Sequence, residues 1–171
     1  MNPFLSRSPR MARLLLALLT VASPVAAQQG GGTIAQGAPD PCELVTEAEA
    51  GAIAGVPMQH RPMPARAEYR NCVYLQKAPS RKGVTGLVVT TYRSIAEPSA
   101  MIQQGKTDCG KGHFKPEPGL GPLTASCVDS EAAQVMGFKG RTGLMVQLGG
   151  SSPELHSLSR RGFAMAMKKL P

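Results

Sequence analysis

The sequence predicts an α+β domain in which an antiparallel sheet is covered by helices on one face, a two-layer sandwich. Segments with helical and strand periodicity alternate in the order α-β-β-α-β-β-β-α, so that each half of the chain carries a small antiparallel sheet and a helix to cover it. Aromatic residues are only 4% of the chain. Leucine, valine, alanine and methionine must therefore fill the core.

The first 27 residues have the three parts of a secretory signal peptide. Three arginines precede an apolar run at 14–22, and small residues at 25–27 lead to Gln28. The apolar run has about nine residues, whereas a membrane-spanning helix needs about 20. We expect cleavage after Ala27, a periplasmic or secreted location, and no transmembrane anchor in the mature form.

The mature chain divides into a flexible linker and one domain. The segment 28–39 is rich in glycine and glutamine and has almost nothing to bury, so it predicts a linker ahead of a single domain at 40–171. Thr46 and Glu49 form a capping box, and Gly55 follows eight residues of helical pattern. These signals predict a helix over 47–54.

A strand pair and a second helix are predicted next. Prolines within 61–67 indicate a loop, and the runs at 69–76 and 84–93 have the alternation and β-branched residues of a hairpin. A helix is expected to begin near Pro98, because proline is tolerated in a first turn, and to end at Gly105.

The segment Lys106–Pro122 is rich in glycine and proline and predicts the longest irregular loop. A loop of this length in a compact domain is a binding surface or a disulfide-stapled connection. The candidate interaction residues are Lys111, His113, Phe114 and Lys115. Strand character resumes at 124–129, 133–139 and 143–148, with one predicted buried face on the last strand.

The last helix has the clearest pattern. Ser152 is a candidate cap, and Pro153 suits the first helical position. Apolar residues fill one broad arc of the following segment, with His156 at its margin, and basic residues occupy the opposite side. Such a helix requires an apolar sheet on which to lie.

Four cysteines in an exported domain indicate disulfides. Cys42, Cys72, Cys109 and Cys127 allow three pairings. Sequential pairing is preferred because each bridge would tie a helix-flanking loop to a strand nearby in the chain. The chain has no C-x-x-C, which a thioredoxin-like redox site or a zinc knuckle would show, so no metal site is predicted.

Three short motifs resemble a domain of unknown function shared by small bacterial exported proteins and lipoproteins. They are the run at 40–49 (DPCELVTEAE), then Asn71-Cys72-Val73-Tyr74, and later Pro118-Gly119-Leu120-Gly121. In that family the pattern reads C-x-L-L-T-x-x-E, C-x-Y and G-L-G. The resemblance implies a Cys42–Cys72 disulfide and an α+β fold, and it supplies no activity.

Charge and motifs exclude several functional classes. The net charge of +8 falls to +5 when the signal, with its three arginines, is removed, leaving 16 basic and 11 acidic residues. The basic residues are scattered with few aromatics among them, which predicts no nucleic-acid binding and at most a weak attraction to anionic surfaces. No catalytic or cofactor-binding motif occurs in the sequence.

The predicted function is a non-enzymatic binding module, without a cofactor, for an envelope protein or small molecule. It would act through its sheet face or the segment Lys106–Pro122. One alternative is a small-ligand carrier with a pocket lined by methionine and leucine. A second is a cryptic hydrolase or metal-binding protein that uses His113 with Asp108 or a cysteine.

Overall fold

The computed structural model of the chain describes residues 37–78, 83–110 and 112–171. The predicted signal peptide 1–27, the linker up to residue 36, residues 79–82 between the two strands of the predicted hairpin, and Lys111 lie outside the described residues. The strands are β1 (Met58–Pro62), β2 (Tyr69–Gln76), β3 (Val84–Tyr92), β4 (His113–Pro116), β5 (Thr124–Val128), β6 (Ala132–Lys139) and β7 (Thr142–Gly150). The helices are α1 (Pro41–Leu44), α2 (Glu47–Ala54), α3 (Pro98–Asp108) and α4 (Leu155–Lys169), with a short 3-10 helix at Pro118–Leu120.

The strands form one sheet in the spatial order β1-β2-β3-β7-β6-β5-β4, and all neighbouring pairs are antiparallel. The predicted antiparallel sheet with helices is thus confirmed. Because β3 pairs with β7, the two halves of the chain join into one continuous sheet. Directly opposed residues in antiparallel strands share a face. One such row across the sheet is Ser126, Val135, Val146, Val89 and Cys72.

Helix α4 and helix α2 cover the face that carries this row. Gly162 of α4 lies against Ile53 of α2 and Val146 of β7, and a Cβ at Gly162 would come within 3.2 Å of both side chains. The missing Cβ therefore lets α4 approach the sheet closely. The amphipathic pattern predicted for the last helix is confirmed by its buried residues, which are Leu155, Leu158, Ser159, Gly162, Phe163 and Ala166.

Helix α1 is fixed to the same face by a disulfide and a buried tyrosine. Cys42 is bonded to Cys72 of β2, and the Tyr74 hydroxyl donates a hydrogen bond to the Val45 carbonyl just after α1. Tyr74 is fully buried, and burial raises the pKa of its phenol well above the ordinary value. The hydroxyl therefore remains a proton donor that satisfies a buried carbonyl.

Helix α3 lies on the opposite face of the sheet, which the sequence did not predict. Gly105 of α3 stands over Met136, where a Cβ would be 3.3 Å from the methionine Cε. Met136 follows Val135 in β6, so its side chain projects from the second face. Cys109 at the end of α3 is bonded to Cys127, which also alternates to that face. The expectation that helices cover a single face therefore fails for α3.

Two proline-containing segments that the sequence did not predict as strands are edge strands, and they overlap the loops predicted at 61–67 and Lys106–Pro122. Residues 58–62, ending at Pro62, pair with β2 as β1, and residues 113–116, ending at Pro116, pair with β5 as β4. Proline lacks an N–H, yet an edge strand tolerates it because one side of the strand has no partner. The predicted order α-β-β-α-β-β-β-α therefore omits β1, β4 and the four-residue α1.

The described chain joins the fold before Asp40. Ala38 is buried, the Arg70 guanidinium donates to its carbonyl at 3.3 Å, and the Thr91 hydroxyl donates to the Pro39 carbonyl at 2.8 Å. Thr91 is fully buried, because it shares the helix-covered face with Leu87 and Val89 of the same strand.

Candidate functional site

Helix α3 lies on the sheet face opposite α4 and forms one side of the candidate site. Its only buried residue in the described chain is Gly105, and its C-terminal end is held by the Cys109–Cys127 disulfide, with a Cα–Cα distance of 5.7 Å. The helix stands over β5 and β6, and among the described residues no other α-helix lies on this side of the sheet. Two cavities lie along α3, one toward each end.

The cavity near the N-terminal end of α3 is apolar and aromatic. It has a volume of about 570 Å³ and is lined by Tyr92, Ile95 and Met101, with Glu68 and Arg93 among its polar residues. Burial raises the pKa of the Tyr92 phenol, and the adjacent Tyr69 adds to this effect. The phenol therefore stays neutral at physiological pH and offers a ring surface for an apolar group.

The position of Tyr92 is set by its neighbours on the sheet. Its ring centroid is 6.1 Å from that of Tyr69 on the adjacent strand, and its hydroxyl is 4.0 Å from the Met145 Sδ. Gly143 lies opposite Tyr92 in β7, and a Cβ there would come within 3.1 Å of the Tyr92 side chain. Glycine at this position therefore leaves room for the ring on the open face.

The cavity near the C-terminal end of α3 is smaller and polar. It has a volume of about 210 Å³ and is lined by Asp108, Asp129, Gln134, Gln147 and the second disulfide. The Gln104 amide donates to Asp108 Oδ1 at 2.7 Å, and Asp129 Oδ1 accepts two backbone N–H groups of its own turn. These contacts orient the two carboxylates, which only accept hydrogen bonds and favour a cationic or N–H-donating group.

Strand β7 contributes a residue near each cavity. Met145 lies against Tyr92 of the first cavity, and Gln147, two residues further along the same face, lines the second. We define the α3 groove as the sheet surface beside α3 that bears both cavities, with Tyr92, Met101, Met145, Gln147, Asp108 and Asp129 as its reference residues.

A second surface depression lies beside α2. It has a volume of about 610 Å³, is lined by Gly51, Gly55 and Met58, and carries Glu47 and Lys77, whose charged atoms are 3.5 Å apart. The alternative carrier function predicted a pocket lined by methionine and leucine. Methionine lines both depressions, through Met58 or Met101, and leucine lines neither.

The residues predicted to form an interaction loop lie mostly on strand β4. His113 and Lys115 are exposed, and the alternation of β4 places them on the α4 side of the sheet edge. Phe114 projects to the other face, where it borders a small gap with Ile102 of α3. The structure therefore does not bring these three side chains together, and Lys111 lies outside the described residues.

A charged cluster that the sequence did not predict joins the chain after β4 to α4. Glu117 is buried, with its side chain 7% exposed, and it accepts hydrogen bonds from the Ser126 hydroxyl at 2.8 Å and from His156 Nε2 at 2.8 Å. Arg160 Nε is 3.0 Å and Lys115 Nζ 3.7 Å from the same carboxylate. His156, predicted as a residue at the margin of the helix, is thus held by a partner 39 positions away.

This cluster does not have the geometry of a nucleophilic triad. Burial alone raises the pKa of Glu117, but the bonds from Ser126 and His156 and the charge of Arg160 outweigh it and lower the pKa below its usual value. The serine hydroxyl bonds to the glutamate rather than to the histidine, and Ser126 is only 1% exposed. A nucleophilic serine needs a base within reach and access to substrate, so we interpret the cluster as a structural link.

In the alternative of a hydrolase or metal-binding protein, a cysteine was expected to act together with His113, but no free cysteine remains near it within the part of the chain that the structure describes. Both Cys109 and Cys127 are consumed in one disulfide. Within residues 37–78, 83–110 and 112–171, no three histidine, cysteine, aspartate or glutamate side chains are arranged to hold a metal ion. Asp108 instead lines the α3 groove.

The three motifs behind the family resemblance lie at α1 and the start of α2, on β2, and at the 3-10 helix. Asp40 accepts a hydrogen bond from the Cys42 amide at 2.9 Å and so caps α1, and Cys72 completes the bridge to that helix. Gly119 lies in the 3-10 helix, where a Cβ would be 3.9 Å from the Arg160 guanidinium. Comparison of the chain with family models, curated proteins and solved structures finds no match.

Proposed function

We propose that this protein is an exported, non-enzymatic binding module that holds its ligand in the α3 groove. The observation that carries the proposal is the sheet face beside α3, where a mainly apolar cavity of about 570 Å³ lies toward the N-terminal end of the helix and a polar cavity of about 210 Å³ toward its C-terminal end. Ligand sites are concave, largely apolar and supplied with a few oriented polar groups. The α3 groove has each of these features.

The edges of the sheet are poorly suited to pairing with an added strand, which favours a ligand site on the face of the sheet. At the β1 edge the His60 N–H donates to Glu47 Oε1 at 2.9 Å, and Pro62 has no N–H to offer. At the β4 edge Pro116 likewise lacks a donor. Strand addition requires a row of free backbone donors and acceptors. These edges interrupt that row with prolines and a carboxylate.

Export is supported by the disulfides and by the signal-like N-terminus. The two bridges suit an oxidising compartment, and no helix in the described residues is both long and apolar enough to span a membrane. The motif pattern also supports kinship with the family of exported proteins that the chain resembles. Intact mass of protein recovered from the periplasm or medium tests this part: we expect a chain that begins at Gln28.

A fragment-binding experiment tests the groove directly. With the 15N-labelled mature chain and indole as the probe, we expect amide shifts at Tyr92, Ile95 and Met101. Ala67 is an exposed residue at the apolar cavity, so Ala67→Trp should fill the cavity and abolish the shifts. Ala48, an exposed residue of the α2 depression, offers the matched control, and Ala48→Trp should leave them unchanged.

Two results would contradict the proposal. If indole shifts amides around Met58 and Ala48→Trp removes those shifts, the α2 depression is the ligand site and the carrier alternative is favoured. If indole at millimolar concentration shifts no amide of the α3 groove, the groove does not bind apolar groups and the proposed function fails.

A further inference from the structure

We infer that the Cys109–Cys127 disulfide is a site of thiol–disulfide exchange with dithiols, and that its reduction releases α3 and abolishes ligand binding in the α3 groove. The exchange is inferred from the surroundings of the two sulfurs, whereas its effect on binding rests on the proposed function. The oxidised chain would bind its ligand, and the chain reduced at this bridge would not.

The two disulfides differ in the access that they give to a reagent. Cys72 is fully buried and Cys42 packs against the core, so we expect a thiol to reach that bridge only when the core opens. Cys109 is half-buried, and both Cys109 and Cys127 line the polar cavity of about 210 Å³. This volume is several times the ~30 Å³ share of a water molecule in the liquid. A small thiol therefore has room beside the bridge, and the rate of exchange depends on such access.

The exchange transfers two electrons in two steps. A thiolate of the dithiol attacks Cys109 Sγ, which belongs to the more exposed of the two cysteines, forms a mixed disulfide with it and displaces Cys127 as a thiolate. The second thiolate of the reagent then attacks the reagent's own sulfur in the mixed disulfide and displaces Cys109. The dithiol leaves as a disulfide, and the two cysteines take up the two protons that it lost.

The charges around the bridge favour some thiols over others. The ionisable groups that line the cavity are the carboxylates of Asp108 and Asp129. The cavity also lies at the C-terminal end of α3, an 11-residue helix, where the aligned peptide dipoles place partial negative charge. These charges repel a thiol that carries a carboxylate and attract one that carries an ammonium group. We therefore expect the reacting dithiol to present a cationic or uncharged surface to this cavity.

Reduction removes the covalent support of α3. Within the helix only Gly105 is buried, so little apolar surface holds α3 to the sheet. The side-chain hydrogen bonds of Gln104 and Thr107 both end on other residues of α3, and they do not tie the helix to the sheet. When the bridge at Cys109 opens, we therefore expect α3 to leave the sheet and to carry Met101 away from the apolar cavity that it lines.

The first experiment measures the order of reduction in the mature, oxidised chain. Dithiothreitol is added for increasing times, free thiols are trapped with iodoacetamide, and a peptide map identifies the alkylated cysteines. We expect Cys109 and Cys127 to be reduced about tenfold faster than Cys42 and Cys72, or more, so that a form with one intact bridge accumulates. Equal rates for the two bridges, or faster reduction of Cys42–Cys72, would overturn the inference.

Two monothiols of opposite charge test the surroundings of the bridge. Each rate of opening is divided by the rate of the same thiolate with hydroxyethyl disulfide, which removes the intrinsic reactivity of the thiol. At low ionic strength cysteamine should open Cys109–Cys127 about tenfold faster than 3-mercaptopropionate, and Asp108→Asn should reduce this ratio about three- to fivefold. The exposed Glu43 lies beside Cys42 on the opposite side of the sheet, so Glu43→Gln is the matched control and should leave the ratio unchanged. A ratio near one in the wild type would contradict the charge selection.

The selectively reduced form tests the effect on α3 and on the groove. Amide exchange should become faster in α3 than in β6 and β7, and the indole shifts at Met101 should disappear and then return on reoxidation. If the reduced form keeps both its α3 protection and its indole shifts, the bridge does not control the groove, and this inference fails while the proposed function stands. If the oxidised chain shows no indole shifts, the proposed function fails, whereas the order of reduction still decides whether the bridge is an exchange site.

Discussion

Removal of the Cys109–Cys127 disulfide should release helix α3 before the rest of the domain. The bridge joins residues 18 positions apart, so the chain-entropy model assigns it about 3 kcal/mol of the free energy of unfolding. Few other contacts hold α3, because Gly105 is its one buried residue in the described chain. Once Cys109 and Cys127 are both alanine, we expect α3 to open locally at a free energy well below that of global unfolding.

The other disulfide provides the comparison. Cys42 and Cys72 are 30 positions apart, which corresponds to roughly 3.6 kcal/mol in the same model. Cys72 is fully buried, so replacing this pair by alanine also disturbs the core. The variant without Cys42 and Cys72 should therefore lose more stability, whereas only the variant without Cys109 and Cys127 should expose α3 selectively.

Urea unfolding and amide hydrogen exchange test this together. Urea unfolding gives the global loss for each variant, and exchange gives the opening free energy of α3 relative to strands β6 and β7. The variant without Cys109 and Cys127 should also lose its indole shifts at Met101, because the wall of the α3 groove is gone. Unchanged protection of α3 in that variant, or a global loss below about 1 kcal/mol, would refute the reasoning.

Three further substitutions have defined outcomes. Glu117→Gln should lower the free energy of unfolding at pH 7 by about 1.5–3 kcal/mol, since it removes the charge that His156 meets. The pKa of Glu117 is lowered on folding from 4.5. The wild type should therefore lose this stability as the pH falls through the folded pKa. If the free energy of unfolding in urea has the same pH dependence in the variant and the wild type between pH 3 and 6, this expectation is contradicted. Gly137→Ala would place a Cβ 2.8 Å from Phe163 Cζ, and the overpacking should cost about 1–3 kcal/mol, whereas an unchanged melting temperature would disprove the clash. Thr46→Ala removes a capping box in which both hydrogen bonds are formed. We expect the free energy of unfolding in urea to fall by about 1 kcal/mol, with faster amide exchange confined to α2. Equal stability of variant and wild type would show that the cap contributes nothing.

Signals that act over a few residues predicted local structure well. Thr46 and Glu49 are three residues apart and make both bonds of the capping box, and Gly55 ends the helix in the left-handed conformation with φ of 71°. The pairing of nearest cysteines in the chain also matches the structure. The capping groups are close enough in sequence for their spacing to carry the information, whereas the cysteine pairs are 30 and 18 positions apart and the sequence indicated only a preference for them.

The two edge strands were not predicted, because their prolines and glycine-rich surroundings indicated loops. The segments that end at Pro62 and Pro116 have the composition of loops, yet each forms an edge strand. Proline is excluded only from strand positions where a backbone N–H must donate to a neighbouring strand. Whether a given N–H needs a partner depends on which strands become edges, and that follows from the order β1-β2-β3-β7-β6-β5-β4.

By itself the sequence determined the α+β class and the amphipathic last helix, because periodicity and caps are properties of neighbouring residues; among three possible cysteine pairings it only favoured the one found. Only the tertiary structure decided that α3 crosses to the second face, where Gly105 meets Met136, and that Glu117 meets His156 39 positions later. Both contacts join elements whose relative placement is set by packing on the sheet. No local pattern encodes which distant strands pair, and the α3 groove exists because of that pairing.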